Sequence, residues 1–155
     1  MKTLLALASA LILLAGCDSD SKKEDAKPSG TPKTLTCTIE GRSFSRTAKA
    51  RFQAASASTA NRDVLSISTD APPAGSPNEY VTVFFNKAPG APNSDYKLTS
   101  VYYDATTNAT IYEDEGPATL SKTASGWSGT FSASITRPSG VVLKVENGVF
   151  TDIPE

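Results

Sequence analysis

From residue 34 onward, apolar residues recur at every second position, and no segment shows the 3.6-residue spacing of a helix. Phe44, Ala48, Ala50 and Phe52 alternate with Ser45, Thr47, Lys49, Arg51 and Gln53. Leu65 and Ile67 alternate with Ser66 and Ser68, and Val81, Val83 and Phe85 with Tyr80, Thr82 and Phe84. Further on, Trp127, Gly129, Phe131, Ala133 and Ile135 alternate with polar residues, and Val141, Leu143 and Val145 oppose Val142, Lys144 and Glu146. Successive side chains of a strand point to opposite faces, so this pattern puts one face on a core and one toward water. Ser, Thr and Val suit such a pleated, half-buried surface. The expected fold is all-β: an antiparallel β-sandwich or a meander barrel of about ten short strands.

Turn residues punctuate the strands. Glu40-Gly41-Arg42 separates the first two, Thr106-Thr107-Asn108 interrupts 96–104 and 109–114, and Pro138-Ser139-Gly140 follows the Trp127 strand. Asn147-Gly148 stands between two apolar runs, and this dipeptide favours a type I′ hairpin. The last third therefore reads as a meander of 127–136, 141–146 and 149–153. Two Pro/Gly-rich loops, Asp70–Asn78 and Lys87–Asp95, flank a single strand. An eight-residue strand is about 27 Å long, so the two loops belong to opposite poles.

The amino-terminal part has another character. Lys2 precedes an apolar run from Leu4 to Ala15, too short to span the ~30 Å of a bilayer as a helix, and Leu14-Ala15-Gly16-Cys17 closes it. A basic start, a short apolar stretch and small residues before a cut describe a secretory signal. With the cysteine in place the segment resembles a bacterial lipoprotein signal. That resemblance implies cleavage after Gly16, diacylglycerol on the Cys17 sulfur and acylation of the new amino terminus. Residues 18–33 are charged and carry Pro28, Gly30 and Pro32, with no apolar residue but Ala26. They cannot bury a face, and read as a disordered tether spanning on the order of 20–25 Å. The expected organisation is a signal peptide over 1–16, a lipidated cysteine and tether over 17–33, and a single all-β domain over 34–155.

Three motifs extend the resemblance. Thr36-Cys37-Thr38-Ile39-Glu40-Gly41-Arg42-Ser43-Phe44, Ser128-Gly129-Thr130-Phe131-Ser132-Ala133 and Asn147-Gly148-Val149-Phe150 are similar to the opening hairpin, core strand and closing hairpin of small uncharacterised bacterial lipoproteins. The resemblance covers the start and the last quarter of the domain. It implies an all-β domain on a lipid anchor in the cell envelope, and supplies no catalytic or ligand residues. Asp18 stands where one sorting signal retains lipoproteins in the inner membrane. The set Asp18, Asp20, Glu24 and Asp25 resembles a surface-export signal instead, and the outer membrane is the location favoured.

Chemistry elsewhere is sparse. The chain has no histidine, which removes Ser-His-Asp and Cys-His nucleophilic schemes and His-based metal sites. Its formal net charge is −1, which indicates no nucleic-acid partner. Cys37 has no intramolecular partner once Cys17 is lipidated, and its strand position reads as a buried small hydrophobe. Glu113-Asp114-Glu115-Gly116 offers carboxylates but lacks the spacing of a calcium loop, and reads as a solvated acidic turn. No enzyme activity, cofactor or metal is expected.

What remains is a set of aromatic residues. Tyr80, Phe84 and one ring of Tyr102-Tyr103 share an outer face if the alternation holds; cross-strand packing that covers the sheet is the reading favoured for them, and a flat platform for a sugar or peptide is the alternative. Trp127 reads as core. The sequence thus points to a lipid-anchored, extracytoplasmic binding or interaction module. Its partners would be the membrane, through Cys17, and an envelope protein or glycan. A passive envelope component and a lipocalin-like carrier of a small lipophilic ligand are the alternatives.

Overall fold

The computed structural model describes residues 33–105, 110–112, 116–136 and 140–155. The signal, Cys17 and the tether up to residue 32 lie outside the described residues, as do the Thr106-Thr107-Asn108 turn and the acidic run 113–115. Nine antiparallel strands form one sheet: β1 (Thr34–Ile39), β2 (Arg42–Gln53), β3 (Asp63–Thr69), β4 (Glu79–Lys87), β5 (Lys97–Ala105), β6 (Thr110–Tyr112), β7 (Ala118–Thr123), β8 (Gly126–Thr136) and β9 (Val142–Ile153). Their order is β6-β5-β4-β3-β2-β1-β9-β8-β7. The protein is all-β, and the sheet curls on itself into a flattened, open barrel.

Strand β2 is the corner. Its first half pairs with β1, from Ile39↔Arg42 to Thr34↔Thr47, and its second half pairs with β3, from Ala48↔Thr69 to Gln53↔Val64. Where β1 ends, the Ala48 and Ala50 amides donate to the carbonyls of Lys33 (2.8 Å) and Pro154 (2.8 Å). One strand thus serves two halves of the sheet, as strands do at the corners of folded sheets. Ala48 and Ala50 are buried there, and their small side chains let the halves approach. Phe52 has the inward phase of the strand but runs past the core and is 46% exposed.

The inward rows of the two halves meet in a single core. Phe85 of β4 lies edge-on to Phe150 of β9 with ring centroids 6.1 Å apart, and Tyr96 lies edge-on to Trp127 at 5.7 Å. Such pairs contribute about 0.5–1.5 kcal/mol beyond their area burial. Leu35, Ile39, Leu65, Ile67, Val81, Val83, Leu143, Val145 and Ile153 fill the space around them. Cys37 sits in this core, where burial pushes its thiol up to about 12. A thiol so protonated and enclosed is inert, so iodoacetamide should label Cys37 only at the rate of global unfolding, as followed by peptide mapping.

The Glu40-Gly41 turn has φ of 50° and 77°, the two positive values a type I′ hairpin requires. Asn147-Gly148 behaves differently from the hairpin that its sequence suggests. β9 runs straight through it, paired on both sides. Thr36 faces Val149 and Thr38 faces Glu146, while Phe131 faces Gly148 and Ala133 faces Val145. Three residues of β9 thus span two on each neighbour, which is a β-bulge, with Asn147 at φ 54°. The reason is packing: a Cβ on Gly148 would lie 2.5 Å from the Phe131 ring, so the chain must be glycine there and cannot turn away from the core. A second bulge, at Asp152 (φ 50°), separates Gly129↔Phe150 from Trp127↔Ile153. Each bulge shifts the inward phase by one residue, so Leu143, Val145, Gly148, Phe150 and Ile153 all face in. The expected strands 141–146 and 149–153 are therefore one, and Val141 is exposed ahead of it. Gly148→Ala should destabilise the fold by about 1–3 kcal/mol in urea titration, while Asn147→Gly should change it by only a few tenths.

Candidate functional site

The outer face of β2–β5 carries the most elaborate arrangement of polar and aromatic side chains. Cross-strand register lays them out in two rows. Lys49 faces Ser68, Ser68 faces Thr82, and Thr82 faces Tyr102. One step along, Arg51 faces Ser66, Ser66 faces Phe84, and Phe84 faces Ser100. Long cationic side chains stand on β2, short hydroxyls on the strands between, and rings on β4 and β5. Short residues flanked by long ones leave a depression, an open groove of about 970 Å³. Its breadth is three strand spacings, about 14 Å.

The walls differ electrostatically. Lys49 is paired with Asp70 (Nζ to Oδ1, 3.2 Å), and Asp70 also accepts a bond from Thr47 Oγ1 (2.9 Å). Those two bonds, from Thr47 first and then Lys49, hold the Asp70 carboxyl below its ordinary value against a smaller effect of burial. Arg51 is exposed, and its guanidinium has no acceptor among the described residues. On the far wall the Tyr102 hydroxyl donates to Asp104 Oδ2 (3.3 Å), and burial followed by the Asp104 charge raises its pKa. Among the described residues no carboxylate lines the groove itself.

Of the four aromatic residues singled out from the sequence, Phe84 and Tyr102 line this groove. Tyr80 faces outward on the same strand as Phe84, beyond the groove and opposite Asp104. Tyr103 is not a surface residue. It is 5% exposed, because a strand that turns Tyr102 out must turn Tyr103 in. Its hydroxyl donates to Glu79 Oε1 (2.7 Å).

Glu79 and Lys87, the first and last residues of β4, are both buried. The inward row of β4 therefore reads Glu79, Val81, Val83, Phe85, Lys87: an apolar centre with a charge at each end. At one pole Arg42 forks onto Glu79, Nη2 to Oε1 (2.5 Å) and Nη1 to Oε2 (3.1 Å). Burial works against the Glu79 charge, but the bonds from Arg42 and Tyr103 outweigh it and lower its pKa. Burial, then Glu79 itself, pushes Tyr103 up to about 12. At the other pole Lys87 Nζ bonds Asp63 Oδ2 (2.9 Å) and the Ala91 carbonyl (2.7 Å), and lies 5.3 Å from the Tyr96 ring centre. The bond from Lys87 holds Asp63 below its ordinary value. These two carboxylates stand at opposite ends of the barrel, each fixed by its cation. Among the described residues no three His, Cys, Asp or Glu side chains converge to hold a metal ion.

No protein-family model matches this chain, no curated protein matches it, and no solved structure matches it.

Sequence reasoning found the rings of the groove and missed its cationic wall and hydroxyl floor. Lys49, Arg51, Ser66, Ser68, Thr82 and Ser100 are ordinary surface residues until register sets them side by side.

The shifted groups give stability a two-sided pH dependence. An unfolded glutamate titrates near 4.5, and folded Glu79 titrates lower, so between those values the unfolded chain holds more protons. That contribution is complete above 4.5 and is lost as pH falls through the folded value. Asp63, Asp70, Asp152 and Glu155 act in the same direction. Cys37 and Tyr103 act in the opposite one. Their unfolded values are 9.0 and 10.0 against about 12 folded, so stability is full below 9 and declines as pH rises toward 12. Urea midpoints should be lower near pH 3 and near pH 11 than near pH 7, with a flat region between.

Proposed function

We propose that this protein is a lipid-anchored, extracytoplasmic binding module, non-catalytic, held to the cell envelope through Cys17 and making its contact with the outer face of β2–β5. The observation that carries the reading is the register itself. It places two cations, four hydroxyls and two rings in one groove and, among the described residues, no carboxylate. Sites for organic ligands combine apolar and aromatic area with a few polar groups that fix orientation. The buried interior is a packed core of meeting rings, which favours the outer face over a cavity inside the barrel.

The anchor is supported by the resemblance of Leu14–Cys17 to a lipoprotein signal. Two or more acyl chains make a stable anchor, each buried CH₂ contributing about 0.8 kcal/mol. The described chain begins on β1, with the Lys33 carbonyl bonded to the amide of Ala48, next to Lys49 of the groove wall.

The test has two arms. Cys17→Ala should move the protein from the membrane to the soluble fraction; quantitative retention in membranes would refute the anchor. Full-length wild-type protein, immobilised, should retain material from envelope extracts that the Phe84→Ala, Tyr102→Ala double variant does not. Equal retention by both, with unchanged urea midpoints, would refute the contact face, and retention of nothing reproducible would point to a passive envelope component.

A further inference from the structure

We infer that the ligand of the β2–β5 groove is an acidic saccharide, its sugar ring against Phe84 and Tyr102 and its carboxylate on Arg51. The inference rests on the contact face proposed above and deepens it by naming the ligand's chemistry.

The argument starts from what the groove offers at each end. Arg51 presents a planar fork of donors that no described residue engages, and a carboxylate matches that fork with two parallel hydrogen bonds. Lys49 is already compensated by Asp70, so one unpaired positive charge remains on this wall. One unpaired guanidinium engages one carboxylate of the ligand. Phe84 on β4, two strands across from Arg51, and Tyr102 on β5 present ring surface, which accepts the apolar face of a sugar while the sugar's hydroxyls remain at its edge.

The floor between them decides among ligand classes. Ser66, Ser68 and Thr82, with Ser100 beside Phe84 on β5, present hydroxyls, each able to donate and accept. That matches a ligand with many hydroxyls in varied orientations. An extended acidic peptide would need unpaired backbone donors and acceptors to add a strand. β3 and β4 offer none, because each is paired on both sides along the groove. The distance from β2 to β5, about 14 Å, gives room for more than one sugar ring between the anion site and the far ring.

The experiment measures binding of full-length protein to trigalacturonate, to its methyl ester and to glucose 6-phosphate by calorimetry. Trigalacturonate should bind about tenfold tighter than the ester, since a hydrogen bond to a charged group typically exceeds a neutral one by about that factor. The preference should weaken as salt rises. Arg51→Gln should abolish the preference, so that trigalacturonate and its ester bind alike, and Tyr102→Ala should weaken both sugars together while the preference for the acid survives. Urea midpoints establish that both variants fold. Equal affinity for acid and ester, or a preference that survives Arg51→Gln, overturns the inference, and so does tighter binding of glucose 6-phosphate than of trigalacturonate. If no saccharide binds while envelope material is still retained through Phe84 and Tyr102, this inference fails and the contact face stands. If retention is lost as well, both fail.

Discussion

Strands β6 and β7 lie at opposite edges of the nine-stranded sheet, yet only residues 113–117 join them. Laid flat, eight strand spacings would hold those edges about 38 Å apart. Five residues and their two flanking bonds reach about 20 Å at full extension. The sheet must therefore curl until its edges approach, whatever else the sequence does. Everything inside follows from that closure. A curled sheet has one concave face, so one row of each strand is enclosed, and the enclosed rows of opposite halves must interlock.

Closure imposes two further requirements. Long strands must bend without turning their core residues outward, and β9 meets this with two bulges that restore the inward phase after each extra residue. β5 does the same between Leu98 and Val101, where the pairing with Phe84 and Phe85 slips by one. The open ends of the barrel must also be finished where the apolar core gives way to water. Glu79 and Lys87 do this at the two ends of one strand. Each is held by a partner from another strand, Arg42 of β2 and Asp63 of β3, so the ion pairs cross-link strands as well as compensate charge. Lys87 and Asp63 are enclosed on both sides, so removing either leaves the other buried and uncompensated, which is the costly direction, and removing the exposed Arg42 would leave buried Glu79 so.

Much of this was legible as alternation. Leu65, Ile67, Val81, Val83, Phe85, Trp127 and Phe131 face inward as a period of two requires. The alternation failed where phase changes. Asn147-Gly148 between apolar runs of opposite phase looks the same in sequence whether the chain reverses or bulges; only the partner strands on both sides and the Phe131 ring over Gly148 decide it. Glu79 and Lys87 were hidden because charged residues at strand ends are ordinarily solvated, and a partner 37 or 24 residues away is invisible locally. For the groove, the rings stood out as rare residue types. Its hydroxyls and cations did not, since their meaning lies in which strand neighbours which, and that is a property of the pairing, not of any one segment.

The two bulges of β9 also bear on how a chain like this can change over generations. In a regular strand, losing one residue turns everything beyond it inside out. β9 already contains two such phase changes, at Asn147 and Asp152, which cancel between Val145 and Ile153. A lineage that lost Asn147 alone would close the first bulge and keep Gly148 and Phe150 inward, with Val149 still outward. One that lost both would keep Leu143, Val145 and Ile153 inward and shorten the strand by two. Length variation in this strand is therefore tolerable in single steps at the two bulges and nowhere else along it, and Asn147 marks where the first step would be taken.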